Sequence, residues 1–158
     1  MILGTPKKLT TILGAILICL THVATGAPPD GYNWILKTHG GAHMNDFADP
    51  TLLAGYAAKW AQDWSGPLKF FTTELDSADP SHVKAGILSL SFLAACVEYE
   101  GKGQVSAESK ARFAKEFPTE KLKAILAKKP EYAEWAFVIE RTSFRDQIKL
   151  PKPPAPKP

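Results

Sequence analysis

Ala85-Gly-Ile-Leu-Ser-Leu-Ser-Phe-Leu-Ala-Ala-Cys-Val97 carries no charged side chain and is bracketed by Lys84 and Glu98. Its apolar residues recur at helical spacing on two sides. Val83, Ile87, Leu90, Ala94 and Val97 line one, and Leu88, Phe92, Ala95 and Tyr99 the other. A helix apolar on both sides belongs in the middle of a bundle. The uncharged run is shorter than the roughly 20 residues a membrane span needs. Asp79-Pro80 marks its start, because aspartate accepts first-turn amide hydrogens and proline is preorganised at the first helical position. Gly101 and Gly103 are expected to close it.

The flanking segments read as helices that cover this one. Asp49-Pro50 repeats the start device, and Leu52, Tyr56, Trp60 and Trp64 follow at i, i+4 spacing. Ser65-Gly66-Pro67 is expected to end that helix. Residues 68–76 permit strand or helix, and helix is preferred because a lone strand has no partner for its backbone groups. Ser106 opens a further helix with Glu108 in its first turn, and Phe113 and Phe117 mark its buried face. Pro118-Thr119-Glu120 starts the next, carrying Leu122, Ile125 and Leu126. Pro130-Glu131 restarts the chain for a last helix with Tyr132, Trp135, Val138, Ile139 and Thr142. The expected fold is all-α: a compact bundle of about five helices, with short antiparallel connections, around the apolar helix 80–100. That domain spans 49–148, preceded by an irregular arm over 27–48 with a possible helical turn at 32–37. It is followed by a disordered Pro/Lys-rich tail over 149–158, which favours extended polyproline II.

The 158-residue chain opens like a secretory leader. Lys7 and Lys8 supply positive charge, Thr11 to Thr21 an apolar core, and Ala24-Thr25-Gly26-Ala27 the small residues that fit a peptidase pocket. A signal peptide over 1–26, cut after Gly26, is expected. Ile16-Leu17-Ile18 before Cys19 do not suit a lipoprotein cysteine. An uncut anchor is the other reading, and the only membrane contact expected. Cleavage leaves one thiol, Cys96, which cannot form an internal disulfide and is expected to be a small buried hydrophobe. Small secreted eukaryotic domains commonly carry several disulfides, so a periplasmic or secreted location in a bacterial envelope is favoured.

The chain has 19 basic and 16 acidic residues. Five of the lysines lie in the leader and tail, at positions 7, 8, 149, 152 and 157, so the domain between them is slightly acidic. A nucleic-acid binder normally shows a basic stripe on its fold, and none is present. No cofactor motif or catalytic signature is found, and no cofactor is expected. Ser89 and Ser91 are expected to bond to preceding carbonyls.

Three groups of residues carry candidate function. Trp34, Trp64, Phe70 and Phe71 could form an exposed aromatic edge that anchors a protein partner, since tryptophan at an exposed edge is a typical binding anchor. His39, His43 and Asp46 could hold Zn²⁺ through imidazole nitrogen and carboxylate oxygen. Gly40-Gly41 makes that segment costly to order, and a polar loop before a helix explains it as well. The leading functional expectation is an exported helical protein that engages an envelope or secreted protein, as an inhibitor, immunity or accessory factor. A carrier of a small apolar ligand or lipid and a small metal-dependent hydrolase are the alternatives. The sequence leaves the oligomeric state open.

Overall fold

The computed structural model describes residues 26–38, 58–100 and 105–151. Among them there are eight helical segments, besides a helical stretch at 58–62, and no strand, so the chain is all-α. Six segments are α-helical: α1 Tyr32–Thr38, α2 Ser65–Glu74, α3 Pro80–Ala95, α4 Ala107–Glu116, α5 Thr119–Lys128 and α6 Arg145–Ile148. Residues 58–62 are also helical. The expected leader, the expected Asp49-Pro50 helix start, Gly101, Gly103 and residues 152–158 lie outside the described residues.

Helix α3 is the centre. It packs on α1, on α2 and on a 3₁₀ helix at Pro130–Arg141. The Asp79 carboxylate accepts from Ser81 N at 2.8 Å, and Pro80 occupies the first turn. The helix does not stop at Ala95. A π-helical turn, Cys96–Glu100, continues it, and Pro80–Tyr99 has a mean hydropathy of 1.3, long and apolar enough by composition to cross a membrane. Its packing is that of a core helix, with 67% of that window buried against protein. Burial is deepest on the Ile87, Leu90 and Ala94 side. The second side is less covered than its composition suggests: Phe92 and Ala95 are half-buried and Tyr99 is 49% exposed. Cys96 is a buried thiol, as its apolar surroundings predict. Ser91 donates to the Ile87 carbonyl at 2.8 Å, but the buried Ser89 hydroxyl finds no partner among the described residues.

Two departures from the sequence reading have local causes. Ser65-Gly66-Pro67 starts a helix rather than only ending one. Pro67 sits in the first turn of α2, where an amide hydrogen has no intrahelical acceptor to lose. The last long segment winds as a 3₁₀ helix. Among its buried residues Ala133, Ala136 and Ile139 recur every third position, followed by the buried cap residue Thr142, and such positions align on one face at three residues per turn.

The covering helices lock by aromatic and polar contacts. Phe113 meets Phe117 and Phe144 at 5.6 and 5.8 Å, and Phe117 stacks on Phe144 at 4.4 Å. The Lys84 ammonium lies over the rings of Trp135 and Tyr132, at 4.5 and 5.4 Å. Ser106 caps α4 by accepting from Ser109 N at 3.1 Å. Lys121 reaches the end of α2, donating to the Thr72 carbonyl and pairing with Asp76, where a cation complements the helix dipole. Phe144 and Ile148, which the sequence reading passed over, are buried on and just before α6.

Candidate functional site

The arm that precedes the bundle is not wholly irregular. Residues Tyr32–Thr38 form α1, and Tyr32 and Ile35 are buried in the core. Tyr32 packs its ring against Phe70 at 4.9 Å and Phe71 at 5.8 Å. Its hydroxyl donates to the Glu74 carboxylate on α2. Glu74 is only 5% exposed, and a buried carboxylate is costly unless it is paired. The second partner is His82 of α3, whose Nδ1 lies 2.5 Å from Glu74 Oε2. One buried carboxylate therefore joins three helices.

Gly86 permits this arrangement. It stands one turn beyond His82, and a β-carbon there would lie 3.0 Å from Glu74 Cβ and 3.2 Å from the Phe71 carbonyl oxygen. Helices α2 and α3 approach closely because this position has no side chain. Burial pushes the Tyr32 hydroxyl well above the ordinary tyrosine range, and the hydrogen bond to Glu74 and the charges of Glu74 and Asp79 act in the same direction.

Fixing Tyr32 fixes the residues just before it. Ala27, Pro28, Pro29 and Asp30 form one wall of an open groove of about 300 Å³. The other walls come from Lys59, Trp60 and Asp63, and from Gly66, Pro67 and Phe70 at the start of α2. Its surface combines apolar rings with a charged lip. Asp30 and Lys59 form an ion pair there, and the Asp30 contact raises the Lys59 ammonium above its usual range. Asp63 adds a second, exposed carboxylate to the lip. Nothing lies within 4 Å of the position a Gly66 β-carbon would take, so the groove is open at that point.

The four expected partner-binding residues separate. Trp64 is 2% exposed, so the exposure expected of it is corrected. Its Nε1 donates to Ser109 Oγ at 2.9 Å, its ring meets Phe113 edge-on at 5.3 Å, and Arg112 lies 4.7 Å above it. These contacts come from α4, a helix distant in sequence. Phe71 is fully buried between Tyr32 and Trp60 and is likewise core. Phe70 is half-buried and lines the groove. The side chain of Trp34, and the candidate metal ligands His39, His43 and Asp46, lie outside the described residues. Among the described residues no group of three or more His, Cys, Asp or Glu could hold a metal ion.

Sequence reasoning missed Glu74, His82 and Gly86. The available signal was a glutamate on the same helical face as Leu68 and Phe71, a position where a charge calls for a partner. The chain matches no protein-family model, no curated protein and no solved structure.

Proposed function

We propose that this chain is an exported binding protein that holds a protein partner of the cell envelope in the groove between the 27–30 arm and the start of α2. The observation that supports this is the groove itself. It offers half-buried apolar surface at Phe70 and Pro67 beside the exposed Asp63 carboxylate and the Asp30–Lys59 ion pair, a composition suited to an apolar anchor with polar flanks. The leader supports export, and a cut after Gly26 would make Ala27, on the groove wall, the new N-terminus.

The expected partner-binding edge shrinks in this reading to Phe70, with Pro67 and the arm residues taking the place of Trp64 and Phe71. The test is a native mass spectrum of the protein taken from its host's envelope fraction. A species with the mass of residues 27–158 plus one further polypeptide supports the proposal. A bare chain of that mass counts against it.

A further inference from the structure

We propose that the amine freed by a cut after Gly26 is a recognition group of the groove, and that the partner segment it reads carries an aspartate or glutamate beside an apolar side chain. The inference rests on the reading of the groove as a binding site and on the expected leader. The Gly26–Ala27 bond is open to a peptidase in the folded chain. Both residues are exposed, and nothing lies within 4 Å of the position a Gly26 β-carbon would take. Gly26 has φ 90°, in the left-handed region that glycine adopts without strain. The new terminus is held in place, whereas chain ends fray unless they are tied down. Proline rings fix φ at Pro28 and Pro29. The Pro29 carbonyl accepts from Tyr32 N at 3.0 Å, Tyr32 is buried in the core, and Asp30 pairs with Lys59. Ala27 therefore lines the groove just ahead of an anchored backbone, and its amine is presented at little further cost in entropy.

Charge decides what this amine can read. The lining residues carry three charged side chains, Asp30, Lys59 and Asp63. Before the cut the Ala27 nitrogen is an uncharged amide, so two carboxylates stand against one ammonium and an acidic ligand is disfavoured. A free α-amine, which titrates at about 7.7–8.0, is mostly protonated at neutral pH. After the cut the Ala27 ammonium joins Lys59, and the lining is balanced. Lys59 is engaged by Asp30. Asp63 accepts from Ser65 Oγ at 3.5 Å and stands on a different wall from Ala27. The Ala27 ammonium is left to meet a carboxylate of the ligand, while Trp60, Pro67 and Phe70 take the neighbouring apolar side chain. Removal of the leader is then the step that makes the groove competent, so the chain engages its partner only after export.

The test uses the protein purified from its host's envelope fraction and N-acetylphenylalanine as the probe. The ring stands for the apolar anchor and the carboxylate for the acidic neighbour. Sequencing from the N-terminus should read Ala27 first, and any other start overturns the proposal. Amide NMR signals of Asp30, Lys59, Trp60, Asp63, Gly66 and Phe70 should then move as the probe is added. N-acetylphenylalaninamide, which lacks the carboxylate, should bind about threefold more weakly, as expected for loss of an exposed ion pair. Acetylating the Ala27 amine at about pH 7, where lysine amines stay protonated, should weaken the carboxylate probe to the same degree. The two changes together should cost no more than either alone, because they remove one and the same pair. A merely structural role of the terminus would weaken both probes equally. Equal affinity for the two probes, or an acetylated chain that still prefers the carboxylate, overturns the role of Ala27 and leaves the groove as an apolar site. If neither probe moves those signals, the groove reading falls with it.

Discussion

A β-carbon on Gly86 would stand 3.0 Å from the β-carbon of Glu74. That close approach of α2 to α3 brings Glu74 to His82, and through Tyr32 it brings α1 onto both. The groove wall at 27–30 is therefore positioned by a missing methyl group on a different helix.

Gly86→Ala should loosen this contact. The new methyl meets the Glu74 stem and the Phe71 carbonyl, and a backbone oxygen cannot move aside as a flexible side chain would. A loss of about 1–3 kcal/mol is expected, as for other overpacked core positions. Urea unfolding measures it. Hydrogen exchange should also speed up across α1, which a purely local strain would leave unchanged.

Alkaline unfolding tests the Tyr32 contact. The folded protein holds this hydroxyl well above the value of about 10 that an unfolded tyrosine shows. The folded state thus keeps a proton that the unfolded chain releases. The stabilisation is fully present below pH ~10 and declines as pH rises above it, by about 1.4 kcal/mol per unit. Tyr32→Phe should remove that slope. At neutral pH it should cost about 1–3 kcal/mol, because Glu74 loses one of its donors. An equal slope in the variant would show that Tyr32 ionises normally.

Two aromatic truncations should separate core from site. Trp64→Ala empties a fully enclosed position and removes the Ser109 and Arg112 contacts, for an expected loss of about 3–5 kcal/mol. Phe70→Ala, at a half-buried position, should lower the melting temperature far less while weakening partner binding at least tenfold. The reverse pattern would return the site to Trp64.

Ser89→Ala should stabilise the protein. The hydroxyl is fully buried and finds no acceptor or donor among the described residues, so its desolvation is uncompensated. A gain of about 1 kcal/mol is expected, read as a rise of roughly 2–8 °C in melting temperature.

Helix starts were legible because they are local chemistry. Asp79-Pro80 and Ser106 each place an acceptor beside free amide hydrogens, and both cap as their sequence implies. The central helix was legible from its uncharged run. Trp64 was not, because the residues that enclose it, Ser109, Arg112 and Phe113, arrive from a separate helix. Its place at a helix boundary suggested exposure, and only tertiary packing decides that. The Tyr32, Glu74 and His82 contacts escaped for the same reason: no local pattern predicts that a carboxylate will be shared between residues on two other helices. The 3₁₀ winding of Pro130–Arg141 was partly visible, since Tyr132, Trp135 and Val138 already recur at intervals of three.

The most direct test of the groove is the affinity of the purified envelope partner for Gly66→Leu, measured by calorimetry beside the unaltered chain. The added side chain enters open space at a helical position that tolerates it, so the melting temperature should hold or rise slightly. The account predicts at least a hundredfold loss of affinity at unchanged stability. Unchanged affinity at unchanged stability would contradict it and place the partner on another face of the bundle.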